Sequence, residues 1–154
     1  MKRWILIILL SLITCVATPE ALKELEDALR VAPDEALLVA APKAADKVVS
    51  STAKLLRKRD PHALVVDASD AWQGLTISGQ GALEIFAHVS QLELPQPEGS
   101  IQGDVGRMPA KIIVRAPGDR ITMFVPATQA HSLRERILAL GAVLRPDPEP
   151  WSNP

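Results

Sequence analysis

Residues 4–17 read Trp4-Ile5-Leu6-Ile7-Ile8-Leu9-Leu10-Ser11-Leu12-Ile13-Thr14-Cys15-Val16-Ala17, behind a basic Met1-Lys2-Arg3. Whether this stretch is kept or removed decides how much chain is left to fold. A basic start, a short apolar run and small residues at its end have the form of a secretory signal peptide. The run is shorter than the roughly 20 apolar residues of a membrane-spanning helix. Cleavage after Ala17 would place small residues, Ala17 and Cys15, where a signal peptidase reads them. A buried core helix is a poor alternative, because the run starts close to Met1 with little polar punctuation.

Two other fates stay open. Leu12-Ile13-Thr14-Cys15 is similar to a bacterial lipobox, with Thr14 standing where Gly, Ala or Ser is usual. Lipidation would then fall on Cys15. The third fate is an uncleaved anchor. All three imply an exported protein, periplasmic or membrane-anchored and facing the periplasm, whose membrane contact is confined to the N-terminal segment. The expected organisation is a leader over 1–17, one domain over 18–144 and a flexible proline-rich tail over 145–154.

Composition narrows the function classes. The chain has 154 residues, 47% hydrophobic and 23% charged, enough for one globular core once a leader is removed. A net charge of -1 carries no nucleic-acid signature. Aromatic residues at 3% disfavour stacking platforms. Cys15 is the one cysteine, so no internal disulfide forms and the folded domain has no thiol chemistry.

Along the rest of the chain, Thr18-Pro19-Glu20 starts a helix expected to run to Ala32, ended by Pro33. Residues 36–41 read as a buried strand and 44–59 as a helix burying Ala45, Val48, Val49, Thr52, Leu55 and Leu56. Residues 63–68 form a second buried strand, and 69–77 a loop carrying Trp72. A helix over 79–91 buries Ala82, Ile85, Phe86 and Val89. Gly and Pro make 92–107 a long loop. Strands at 111–116 and 121–126 flank a turn at Pro117-Gly118-Asp119. Ser132-Leu133-Arg134-Glu135 reads as a capping box opening the last helix, and Gly141 as its stop. Strand-helix-strand order implies a parallel pair joined by a right-handed crossover. The expected fold class is α/β: a mixed sheet with helices on both faces, closed by a C-terminal hairpin and helix.

That element order, with Gly106-Arg107-Met108-Pro109 before the hairpin, resembles a thioredoxin-like domain. Element order carries the resemblance over 36–142, and the residue-level motif over 106–126. In the family a proline beside the active site stands where Met108-Pro109 stands here. The family's Cys-x-x-Cys is replaced by Ala41-Pro42-Lys43-Ala44. The resemblance therefore implies a redox-inactive binding or assembly factor of the bacterial cell envelope, as in secretion or conjugation machinery. Its partner would be another envelope protein. The implied groove sets Pro42 and Lys43 against Arg107, Met108 and Pro109, with no catalytic residue, cofactor or metal.

Other constellations are thinner. Glu84 and His88 share a helix face at i, i+4, but two ligands do not make a metal site. An α/β enzyme using Asp67, Asp70 or His88 near strand ends is one alternative. A small envelope lipoprotein with an immunity or exclusion role is another. Trp151, within Pro148-Glu149-Pro150-Trp151, could anchor a partner or simply end a disordered tail.

Overall fold

The computed structural model describes residues 4–8, 10–26, 28–116 and 118–145. The expected tail from 146 onward, with Trp151, and Pro117 of the expected turn lie outside the described residues. In chain order the strands and helices are β1 (Trp4–Ile8), β2 (Ser11–Val16), α1 (Pro19–Leu22), β3 (Leu29–Ala32), β4 (Glu35–Ala40), α2 (Ala45–Arg57) and β5 (Leu64–Asp67). There follow β6 (Trp72–Ser78), α3 (Ala82–Val89), β7 (Gly99–Val105), β8 (Met108–Arg115), β9 (Arg120–Pro126), α4 (Ala130–Ala139) and β10 (Val143–Arg145). A 3-10 turn at Pro42–Ala44 leads into α2. The chain divides into two compact units, Leu9–Asp70 on one side and Met1–Ile8 with Ala71–Pro154 on the other.

In the Leu9–Asp70 unit a four-stranded sheet runs β3-β4-β2-β5. The middle strand β2 comes from the segment expected to be a leader. It pairs antiparallel with β4 from Ser11↔Ala40 to Val16↔Glu35, and with β5 from Ile13↔Asp67 to Val16↔Leu64. Its neighbouring residues Leu12 and Ile13 are both fully buried. A strand buried on both faces loses the polar alternation that marks a half-buried one. Its apolar run therefore carries no alternation that would distinguish it from a leader.

The thioredoxin-like reading is corrected here, and the reason lies in the same strand. β4 and β5, joined through α2, do run the same way, but they are not neighbours. β2 lies between them and pairs antiparallel with both. The unit is thus a split β-α-β arrangement in an antiparallel sheet. Ala45, Thr52 and Leu56 of α2 are buried as expected, whereas Leu55 is exposed. Leu56 packs with Ile13, Cys15, Ala36 and Val65 in one apolar cluster.

The first helix is shorter than its pattern suggests. Thr18 caps it, its Oγ1 accepting from the Ala21 N–H at 3.3 Å. The helix nonetheless ends at Leu22, and Leu29–Ala32 becomes β3, turning at Pro33-Asp34 into β4 with Ala32 opposite Glu35.

In the other unit a six-stranded sheet runs β10-β1-β6-β9-β8-β7. Every neighbouring pair is antiparallel except β1 with β10. The expected hairpin is present as β8–β9, with Arg115 opposite Arg120 and Gly118 at φ 113°. Two segments expected as loops are strands. β6, with Trp72 at its start, pairs with both β1 and β9. β7 pairs with β8 along its length. Leu92 lies close over its Gly103: a Cβ there would lie 2.6 Å from Leu92 Cδ2 and would push that side chain aside. Close approach of a neighbour, not chain flexibility, puts this glycine in a strand.

The sheet of this unit buries Leu75, Ile77, Ile112, Val114, Ile121 and Met123 in one cluster with Ile85 and Phe86 of α3 and Leu133 and Ile137 of α4. α4 starts at Ala130 after Gln129, with no side-chain cap, so Ser132 lies inside the helix rather than capping it. Gly141 at φ 96° follows the helix, as expected of a stop.

One buried polar pair sits in the middle of this sheet. Thr76 and Thr122 face each other across β6 and β9, Oγ1 to Oγ1 at 2.9 Å, and neither is exposed. Thr76→Val or Thr122→Val alone strands the partner's hydroxyl and should cost about 1–3 kcal/mol. The double valine variant should recover most of that loss. Chemical denaturation of the three variants measures the coupling, and additive losses would show that the pair is not a unit.

Candidate functional site

A groove of about 560 Å³ opens on the Ala71–Pro154 part of the chain. Its walls are the end of α3 and the following residues (Ala87 to Leu92), the β7–β8 turn (Asp104, Gly106, Arg107) and Arg136 of α4. Most of this lining is exposed, so the groove is open to solvent.

Local rules build each wall. Val105 pairs with Met108, leaving Gly106 and Arg107 as a two-residue turn between β7 and β8. Their φ values are 58° and 67°, the pair of positive values that a type I′ hairpin turn requires. Gly106 takes this conformation freely, whereas Arg107 does so against the preference of an L side chain. The turn is tied to α3, because the Gly106 N–H donates to the Val89 carbonyl at 2.6 Å. Ser90 adds a second tie, its Oγ donating to the Asp104 carbonyl at 2.8 Å. Neither bond uses the side chains of His88, Asp104 and Arg107, which line the groove.

Arg136 completes the wall. Its Nη1 lies 3.1 Å from where a Gly106 Cβ would be, so the guanidinium rests over the turn in space a side chain would need. Two guanidinium groups and an imidazole thus line a groove that holds one carboxylate, Asp104. Among the described residues neither Arg107 nor Arg136 has a hydrogen bond or ion pair.

The strain at Arg107 gives a direct check. Arg107→Gly should raise stability by about 0.5–1 kcal/mol, because glycine adopts positive φ without the side-chain penalty. An unchanged or lower midpoint in chemical denaturation would mean that the arginine stem contributes more than the turn strain costs.

The residues expected to form a site are placed as follows. Arg107, Met108 and Pro109 lie together at the β7–β8 turn and the start of β8, with Met108 buried and Pro109 exposed opposite Asp104. Pro42 and Lys43 lie in the 3-10 turn before α2, in the Leu9–Asp70 unit, and both are exposed. Of the groove's basic residues, the sequence reading names Arg107, names His88 as half of a metal site or as an enzyme residue near strand ends, and does not name Arg136. Nothing local links positions 88, 107 and 136; the packing of α3 and α4 around the turn does.

Asp67 ends β5 and binds its own loop, its Oδ1 accepting from the Ser69 N–H at 3.0 Å and from the Ser69 hydroxyl. Asp67 and Asp70 belong to the Leu9–Asp70 unit and His88 to the other. Trp72 is a strand residue whose ring carries the Lys111 ammonium 5.1 Å from its centroid.

Cys15 lies in β2 between Ala36 and Val65, fully buried. Burial pushes its thiol up to about 11. A thiol so placed is a core methyl in all but name, with almost no thiolate at neutral pH. In the native protein at pH 8 it should resist iodoacetamide, and react fully once the chain is unfolded in guanidinium. Fast native labelling would contradict the burial.

No family model matches the chain, and no curated protein matches it in sequence. Solved structures do share its fold. It is similar to a chain of heterotetrameric sarcosine oxidase from Corynebacterium sp. U-96, with 15% identity and a TM-score of 0.69, over 90% of this chain and 85% of that one. It is similar to the glycine cleavage system aminomethyltransferase T from Bartonella henselae, with 13% identity and a TM-score of 0.74, over 93% of this chain. There it spans only 47% of the relative's length. A weaker likeness, TM-score 0.47 at 12% identity, is to the regulatory subunit of aspartate kinase from Thermus flavus. The sarcosine oxidase chain and the aminomethyltransferase are not thioredoxin-like, in agreement with the sheet topology, and they overturn that resemblance. The chain is a mixed α/β protein of two units whose fold is shared with the sarcosine oxidase chain and part of the aminomethyltransferase.

Proposed function

We propose that this chain is a binding or assembly subunit that docks onto a larger protein in a hetero-oligomeric complex. The observation that carries the reading is its near full-length correspondence with a chain of a heterotetrameric enzyme. At 15% identity that correspondence is one of fold, so no substrate is transferred with it. The binding or assembly role that the thioredoxin resemblance implied is kept on this different footing. The groove supports it, because exposed arginines are frequent anchors of protein contacts.

The reading also keeps residues 4–17 on the mature chain. β2 is a middle strand and Cys15 a core residue, so cleavage after Ala17 or a lipid on Cys15 would take the fold apart. An envelope location is compatible with this proposal only for an uncleaved chain. Intact-mass measurement on the protein from its native source decides the point: loss of residues 1–17, or an added lipid mass, would refute retention.

The docking role is tested by tagging the chain at its natural expression level and measuring its size after gentle lysis. A defined complex with one stoichiometric partner, well above the 16.6 kDa of the chain, is the expected result. Elution as a free monomer, or only with copies of itself, would refute the role.

A further inference from the structure

We infer that the groove between the end of α3, the β7–β8 turn and α4 is a binding site for a small oxyanion, a carboxylate or phosphate group. Its lining combines Arg107, Arg136 and His88 with a single carboxylate, Asp104. With His88 neutral the local charge is already positive, two guanidinium groups against one carboxylate. Neither guanidinium is satisfied by a protein acceptor among the described residues. Planar guanidinium groups present paired N–H donors that match a carboxylate or a phosphate edge.

Both cations are placed there by features of the backbone. Arg107 is kept in a left-handed conformation at φ 67° by a turn only two residues long. That turn is anchored to α3 through the Gly106 N–H and the Val89 carbonyl. Arg136 lies over Gly106, at a distance that any side chain there would contest. Two like charges lining one groove repel each other, and an anion bound in the groove would offset that repulsion. The groove's 560 Å³ falls in the range of small-ligand sites. Asp104 on the same wall would disfavour a ligand carrying many negative charges, and so favours a single carboxylate or phosphate group.

The inference does not depend on the docking role, since the test uses the purified full chain with two probes, inorganic phosphate and acetate. Amide shifts of Ser90, Gly106 and Arg107 should saturate with at least one probe, with a millimolar dissociation constant. The two titrations separate a phosphate ligand from a carboxylate one. Arg136→Gln and Arg107→Gly should each weaken binding at least tenfold, about 1.4 kcal/mol. Arg107→Gly removes the guanidinium while relieving the turn, so lost binding in that variant is not lost folding. Linear, non-saturating shifts with both probes would overturn the inference, as would unchanged affinity in both variants.

Discussion

A chain lacking residues 1–17 is expected not to fold. The deletion removes β1 and β2, and β2 is the strand on which β4 and β5 both form their ladders. Without it two strands lose their shared neighbour, and α2 loses the surface that Leu56 covers. Ile5, Leu12 and Ile13 are each fully buried. Burying one such side chain contributes about 1.5–3 kcal/mol, and a domain's whole stability is about 5–15 kcal/mol. The truncation therefore removes an amount comparable with the total. Circular dichroism should show no cooperative thermal transition, and Ile13→Asp should do nearly the same through one buried charge. A truncated chain with a sharp transition near that of the full chain would refute the placement of β2. This outcome separates an N-terminus that belongs to the fold from a removable leader more sharply than any localisation assay, because a true leader is dispensable for the folded state.

Phe86→Ala should lower stability by about 3–5 kcal/mol. Phe86 is 2% exposed on α3, in the cluster with Ile85, Leu133, Ile137 and the sheet residues Leu75 and Met123. Removing the ring leaves a void that helices packed on a sheet close only in part. For a chain of this size the loss corresponds to a fall in Tm of about 6–20 °C. Leu83 on the same helix is 54% exposed, so Leu83→Ala should change stability by less than about 0.5 kcal/mol. Equal effects at the two positions would contradict the orientation of α3.

That orientation is legible in the amino-acid sequence. Ala82, Ile85, Phe86 and Val89 stand at helical spacing, and all four are buried. α2 reads equally well, apart from Leu55. Helices that bury one face keep a periodic pattern, and so does a hairpin whose strands meet at a short turn. The segments whose pattern misleads share a different cause. β2 is buried on both faces and reads as a featureless apolar run. β6 buries Leu75, Thr76 and Ile77 in succession, so it shows no alternation either. β7 contains Gly99 and Gly103, which have the look of a loop, yet Gly103 is a strand residue with Leu92 lying over it. Of the groove residues, the sequence points to Arg107 only through the thioredoxin resemblance that the topology overturns, and His88 and Arg136 reach the groove only through helix packing.

The amino-acid sequence by itself determined the mixed α/β class, the amphipathic helices, the C-terminal hairpin and the confinement of thiol chemistry to one residue, Cys15. Each of these follows from local spacing or from composition. The tertiary structure alone decided that Trp4–Ile8 and Ser11–Val16 are strands of two sheets, that β2 separates β4 from β5, and that His88, Arg107 and Arg136 share a groove. Long-range pairing made those decisions. A strand's neighbours lie tens of residues away, and an apolar run carries no mark of whether a membrane or a sheet will cover it.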